Sequence, residues 1–350
     1  MAVRASYRCD VSLHHESGAN MNTELNPDMS APDGYKPTVA DRLRGALFGL
    51  AAGDALGTTV EFRPRGSFSL MTKIVGGGPF GLKPGEWTDD TSMALCLAQS
   101  IVETQTFDPL DQLKRYLKWW KHGHLSSNGI CFDIGNQTRN ALDEFCRTAQ
   151  PACGPTDARN SGNGSLMRLA PVAIAFYQQP AEAIRLAAES SRTTHGSILC
   201  LDACRYFAGL LVGAFGGAGK QELLSPGYSP APDMWLRRPL DAQIKAVSLG
   251  SWKNKTRDQI NASGYVVHTL EAAIWAFANS HNYQQAVLNA VNLGEDADTT
   301  GAVCGQLAGA YYGLGGIPRQ WLAMLAKLRT IQDICDGLCV FANRPSASQH

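Results

Sequence analysis

The sequence predicts an all-α fold arranged as one compact, single-domain helical bundle. Three observations carry that expectation. From Asp41 onward apolar residues recur at helical spacing. The period-two alternation of a half-buried strand is nearly absent, and Gly/Pro-rich stretches at 76–85, 151–164 and 225–239 cut the chain into helix-length segments. Helices without a strand partner bury their apolar faces on one another.

Taken in order, residues 1–37 mix Ser, Asn, Asp, Pro and His without any period, which reads as a flexible N-terminal arm, with Met21 as an alternative start. The folded domain is expected over 38–345. Its first helix follows Asp41, with Leu43, Leu47 and Leu50 on one side and Gly45, Gly49, Gly53 and Gly57 repeating every four residues. Glycine costs a helix about 1 kcal/mol relative to alanine, so a ladder of glycines needs a packing reason, and close approach of another backbone is the obvious one. Gly301, Gly305 and Gly309 repeat the device beside Ala302, Ala308 and Ala310. The two glycine-faced helices are therefore expected to meet in the core. Further helices are expected at 92–104, 110–121, 141–147, 181–190, 198–214, 266–280, 283–292 and 321–334.

The composition narrows the function classes. With 44% hydrophobic residues among 350, the chain can bury a large core. A formal net charge of zero supplies no basic field to draw in nucleic acid, so no nucleic-acid binding is expected. The N-terminus lacks the apolar stretch of a signal peptide. The longest apolar run, Tyr206 to Gly219, is too short to span a bilayer and reads as a buried core helix, so no membrane role is expected. None of the ten cysteines forms a C-x-x-C pair, and Cys200 with Cys204 and Cys335 with Cys339 sit at helical spacing among apolar residues. Buried thiols in a reducing cytoplasm are the better reading than zinc ligands or disulfides.

Two acidic clusters hold the candidate chemistry: Thr88-Asp89-Asp90-Thr91, and Glu295-Asp296-Ala297-Asp298-Thr299-Thr300. Each follows a glycine turn and precedes an apolar helix, so helix capping is the plain alternative for either cluster alone. Two features weigh against it. Asp296 and Asp298, two apart, converge only in an irregular first turn. Both clusters also lead into helices expected to be buried, where several carboxylates repel unless a cation joins them. Carboxylates with threonine hydroxyls are hard oxygen ligands that select Mg2+, Mn2+ or Ca2+ over zinc, and two clusters suit a two-metal site.

Other positions stay open between roles. Glu61 is a movable ligand or a solvated carboxylate, and Asp133 is a site acid or a structural N-cap. The amides of Gly162, Asn163, Gly164 and Ser165 can cradle a phosphate, although the segment is not a P-loop. His195 reads equally as a core histidine, and Tyr265 as packing.

Taken together and in order, these segments resemble the ADP-ribosylglycohydrolase family, of the dinitrogenase-reductase-activating type. The resemblance runs from about Asp41 to Leu328 and rests on GALFGLAAGDALGTTVEF, GEWTDDTSMAL, CFDIGN, GNGSLMRLAP, THG followed by DAC, GYVVHTLEAAIWAF and AVNLGEDADTTGAVCGQLAGAYYG. It implies a compact all-α fold with a central cleft holding two Mg2+ ions, for which Mn2+ can substitute. It further implies Thr88, Asp89, Asp90, Asp296, Asp298 and Thr299 as metal ligands, and Glu61 and Asp133 as catalytic acids, Glu61 on a mobile loop. Asn163, Gly164, Ser165 and Met167 would line the phosphate and ribose pocket, and His195 and Tyr265 would bound it.

The activity so implied is removal of ADP-ribose from modified protein, from arginine first. The ions would polarise the anomeric centre, and Asp133 or Glu61 would manage the proton for the departing guanidine. Two departures stand out. Glu295 occupies a position where Gly or Asp is commoner in the family, and the N-terminal arm is longer than the family core needs. The arm supports an alternative, an immunity protein that plugs an ADP-ribosyltransferase toxin with or without turnover. A two-metal phosphoesterase is disfavoured, because His ligands and strand-borne Asp residues are not evident. The linkage, the protein target and the oligomeric state are not legible in the sequence.

Overall fold

The computed structural model describes residues 34–344, and its regular structure there is helical apart from two isolated bridge pairs, Gly77 with Leu82 and Gly162 with Tyr265. In chain order the helices are α1 (Val39–Gly57), α2 (Asp89–Thr104), α3 (Pro109–His122), α4 (Asn136–Thr148), α5 (Ala170–Ala175), α6 (Pro180–Arg192), α7 (Ile198–Phe215) and α8 (Lys220–Leu223). Then follow α9 (Met234–Arg237), α10 (Ala242–Leu249), α11 (Val266–Ala278), α12 (Tyr283–Val291), α13 (Ala297–Tyr312), α14 (Arg319–Met324) and α15 (Leu328–Ala342). Residues 1–33, which make up most of the expected arm, lie outside the described residues.

The two glycine ladders meet as expected. A Cβ placed on Gly45 would lie 2.3 Å from the Gly309 carbonyl oxygen, one on Gly49 2.3 Å from that of Gly305, and one on Gly53 2.2 Å from that of Gly301. The paired numbers run in opposite directions, so α1 and α13 pack antiparallel. Glycines four apart stay on one helix face, and their lack of side chains lets the two backbones touch along the whole contact. Neighbouring residues seal it: the Tyr283 hydroxyl of α12 donates to the Gly49 carbonyl at 2.7 Å. This contact places the C-terminal end of α1 beside the N-terminus of α13, where a Cβ on Gly57 would meet Ala297 and Asp298.

α1 begins earlier than its apolar spacing suggests. Thr38 is its N-cap, and Asp41 closes a capping box by accepting from the Thr38 amide at 3.0 Å. Just before it, the Tyr35 hydroxyl accepts from the Gly315 amide, which docks the start of the described chain on the loop after α13.

α7, which contains most of the long apolar run, is long and apolar enough to cross a bilayer, yet 89% of that stretch is buried inside the protein. It is a buried core helix as expected, although the helix is longer than the apolar run suggested, because it begins at Ile198. Nine cysteines are described and all are free, seven of them buried.

The helix expected at 321–334 is not continuous. The chain leaves α14 at Leu325 and re-enters at Lys327, whose φ is 47°. Long-range hydrogen bonds hold the break: the Ala326 amide donates to the Gly85 carbonyl at 2.9 Å, and the Trp87 indole donates to the Ala326 carbonyl at 3.2 Å. α4 starts at Asn136, five residues before its expected start, and its N-cap is Gly135. Asp133 is therefore not the cap of that helix.

Candidate active site

The N-termini of α2 and α13 open on the same cavity, of about 610 Å3, with Asp89, Asp296, Asp298 and Thr299 in its lining and Thr88 and Asp90 buried beside it. Carboxylate oxygens group into two overlapping triads, each with its atoms within 4.8 Å of one another: Asp54, Asp90 and Asp298 in one, and Glu61, Asp296 and Asp298 in the other. Asp298 belongs to both. Segments far apart in the chain thus converge on one acidic floor.

The two N-cap residues do not cap with their own side chains. Thr88 is the N-cap of α2 and Asp296 that of α13, but neither side chain makes a capping hydrogen bond. Asp296 has a non-helical backbone, with φ −88° and ψ 68°, and this irregular turn lets it approach Asp298. The Thr88 hydroxyl instead bonds Asp54 at 2.8 Å and Asp90 at 2.9 Å.

Asp54 went unrecognised in the sequence. It is fully buried near the end of α1 and accepts from the Thr88 amide at 3.0 Å, the Thr91 amide at 3.1 Å and the Thr91 hydroxyl at 2.6 Å. It therefore clamps the first turn of α2 in place. The available signal was a lone carboxylate inside an otherwise apolar, glycine-faced helix, a position that burial makes expensive unless the charge is used.

Glu61 is almost fully buried, and its Oε2 accepts from the Ala297 and Asp298 amides at 2.9 and 3.2 Å. Its loop is tied down: the Phe62 amide donates to the Glu295 carbonyl at 2.7 Å, and the Glu295 amide to the Arg63 carbonyl at 2.8 Å. Asp133 lines the cavity, and its Oδ2 is buried with no hydrogen-bond partner.

The GNGS segment divides its tasks differently from the expected phosphate cradle. The Gly162 amide donates to Gln137 and the Asn163 amide to the Gly264 carbonyl, so at most Gly164 and Ser165 keep theirs for a ligand. The Asn163 side chain donates to Asp296 at 2.6 Å and to Thr269 at 2.8 Å, which orients a floor carboxylate. Met167 and Gly164 line the cavity. The Ser165 side chain does not; it turns into the core, where it accepts from the Ser191 hydroxyl at 2.8 Å. Nor does Tyr265 line it: its hydroxyl donates to Gln243 at 3.0 Å and its ring stands edge-on to His268.

His195 lines the cavity, packed so tightly on Gly164 that a Cβ there would lie 2.8 Å from the ring. Burial, with Arg168 adding to it, holds its pKa well below the ordinary histidine range, so the ring is neutral. The Thr194 hydroxyl accepts from Arg168 at 2.7 Å and lies 2.7 Å from Nδ1. Arg168 is the other unrecognised residue. Fully buried, it donates to the Gly164 carbonyl at 2.7 Å and stands over the Tyr116 ring, joining the GNGS segment to the loop that carries His195.

The floor is electrostatically frustrated. Burial, then the charge of Asp298, pushes Asp54 and Asp296 each up to about 7, and burial, then Asp54 and Asp298, pushes Asp133 up to about 8. Glu61, Asp89 and Asp90 shift upward as well, burial being the main cause. A cation reverses this, and the donors fit one: they are all hard oxygens, and Asp90 Oδ1 is buried with no partner of any kind.

A pH prediction follows for the metal-free protein. Between the ordinary carboxylate range, near 4, and about 7–8, the folded state holds more protons than the unfolded chain, so stability falls as pH rises through that window. In EDTA, the melting temperature is expected to drop from pH 5 to pH 8 by several degrees more than it does with Mg2+. Parallel curves in thermal melts would contradict the assignment.

Residues 35–347 match the family described as ADP-ribosylglycohydrolase. ADP-ribosylarginine hydrolase Tri1 of Pseudomonas putida (strain GB-1) is 45% identical over 298 residues, covering 85% of this chain and 78% of that protein. The Rhodospirillum rubrum glycohydrolase named for ADP-ribosyl-dinitrogen reductase is 32% identical over 293 residues, covering 83% of this chain and 92% of its own. A solved structure, named as an ADP-ribosylglycohydrolase-related protein complex, superposes with a TM-score of 0.76 at 41% identity, covering 87% of this chain and 99% of that one.

Proposed function

We infer the chemistry from one premise: this chain belongs to the ADP-ribosylglycohydrolase family. It is a hydrolase that releases ADP-ribose from modified protein, and the linkage it cleaves is the one to arginine. The observation that carries this reading is the meeting of the α2 and α13 acidic turns over one cavity, with a buried carboxylate oxygen of Asp90 left unpartnered.

Asp89, Asp90, Asp296, Asp298, Thr88 and Thr299 are the groups proposed to hold two Mg2+ ions. Bound there, the pair supplies Lewis-acid polarisation at the ribose and readies water for attack. The chain's own residues do the rest. Asp54 braces the first turn of α2 through Thr88 and Thr91, Asn163 orients the Asp296 carboxylate, and the neutral His195 ring faces the ADP-ribose. The water oxygen bonds the anomeric carbon as the bond to the guanidine nitrogen breaks. The water proton passes to Asp133, whose Oδ2 has no other partner, and from there to the departing guanidine. Glu61, held by two α13 amides, is assigned to shaping the floor rather than to carrying the proton.

The free thiols suit the reducing cytoplasm. The partner is an arginine-modified polypeptide. Blocking of a transferase toxin by residues 1–37 is the second reading, and toxin binding unchanged after their deletion removes it.

The test uses the full chain and substrates that carry ADP-ribose on arginine, on serine or on a nucleic-acid base, with release followed by mass spectrometry. Turnover is expected on the arginine linkage, and EDTA is expected to lower it at least a hundredfold, with recovery on adding Mg2+. Undiminished release in the chelator, or release from the other linkages alone, would overturn the reading.

A further inference from the structure

Two residues at the mouth of the cavity have no part in the floor chemistry. Phe62 lines the cavity with 68% of its surface exposed, unusual for a phenylalanine, and its backbone is left-handed at φ 60°. Glu295 lines the same mouth, also exposed and also left-handed at φ 60°. A main-chain hydrogen bond of 2.7 Å joins the two, from the Phe62 amide to the Glu295 carbonyl. Phe80 stands edge-on to Phe62, with ring centroids 6.2 Å apart, and lines the cavity as well.

The Glu295 carboxylate makes no salt bridge among the described residues. The nearby Arg65 guanidinium is committed to backbone carbonyls, those of Leu293 at 3.1 Å and Ile260 at 2.5 Å among them. Both residues are exposed in the cavity lining and tied together by that main-chain bond, so they offer a planar cation an aromatic ring and a carboxylate, the Glu295 charge being shared with Arg65. Exposure places them nearer the solvent than the floor: Phe62 is exposed next to almost fully buried Glu61, and Glu295 is exposed next to the less exposed Asp296.

Resting on the function proposed above, we propose that Glu295 and Phe62 recognise the guanidinium of the ADP-ribosylated arginine and so set preference for that linkage. A modified arginine keeps its positive charge, and the polypeptide that bears it stays outside the cavity. Its guanidinium therefore lies between the floor and the mouth, where this pair stands. A serine linkage presents no cation there and gains nothing from the pair.

The experiment uses the full-length protein with Mg2+ and compares wild type with Glu295→Gln, Glu295→Asp and Phe62→Leu. Two quantities are measured: KM for an ADP-ribosylarginine substrate, and Kd for free ADP-ribose by calorimetry. Glu295→Gln and Phe62→Leu are each expected to raise KM roughly threefold to fivefold, in line with one exposed charge pair and one exposed cation–π contact. The Kd for ADP-ribose should stay within about twofold, and Glu295→Asp should recover part of the loss. KM and Kd rising together, which would mean the floor itself was damaged, or KM unmoved in both Glu295→Gln and Phe62→Leu, would overturn the proposal. Absence of wild-type turnover would instead defeat the reading of function beneath it.

Discussion

Asp298→Asn is expected to abolish release of ADP-ribose from modified arginine, with kcat/KM falling by roughly 10³-fold or more, about 4 kcal/mol of transition-state stabilisation. Asp298 alone belongs to both carboxylate triads, so its loss strikes both candidate cation positions at once. The amide is nearly isosteric, and its oxygen can still accept from the Thr299 amide, which bonds Oδ1 at 2.7 Å, so the first turn of α13 should survive. Circular dichroism should then overlay wild type while calorimetric Mg2+ binding weakens. Asp89→Ala should also abolish turnover, because Asp89 brings a carboxylate from α2 into the cavity lining. Activity within tenfold of wild type in Asp298→Asn, at saturating Mg2+, would show that the floor is not the metal centre.

The second large effect is on stability. Gly53→Ala is expected to destabilise the protein by about 3 kcal/mol or more, although glycine to alanine inside a helix ordinarily gains about 1 kcal/mol. The added Cβ would lie 2.2 Å from the Gly301 carbonyl oxygen and 2.6 Å from its carbon, and backbone atoms cannot swing aside as a flexible side chain does. Relief requires α1 and α13 to separate. That movement draws Asp54 away from Asp298, so activity should fall along with the melting temperature. Gly209→Ala in α7 is the control: its Cβ would make only ordinary contact, 3.4 Å from Pro230, and the change should be neutral or mildly stabilising. Equal melting temperatures for the two variants would show that the glycine ladder is not a packing device.

Much of this was legible because it is local or periodic. Apolar spacing predicts most of the helices, and glycines every four residues announce a close backbone contact before any partner is known. Carboxylates beside threonines at two glycine turns supply hard oxygen donors, which makes them candidates for a cation. Misreadings arose where distant segments overrule local preference. The 321–334 segment has helical spacing throughout, yet the Ala326 amide donating to Gly85 and the Trp87 indole donating to Ala326 open it at Leu325 to Lys327. Ser165 and Tyr265 sit in the right segments, but side-chain direction depends on backbone geometry and neighbours, and both turn away from the cavity.

By itself, the sequence determined the helical class, the pairing surfaces of α1 and α13, and the kinds of atom available to a ligand, because helix period, side-chain size and ligand hardness are properties of residues. Tertiary structure alone decided that Asp298 is shared between the two triads, that Asp54 braces Thr88 and Thr91, and that Arg168 joins the GNGS segment to the loop that carries His195. Those relations depend on distances between residues far apart in the chain, and such distances exist only once the two glycine faces have closed on each other.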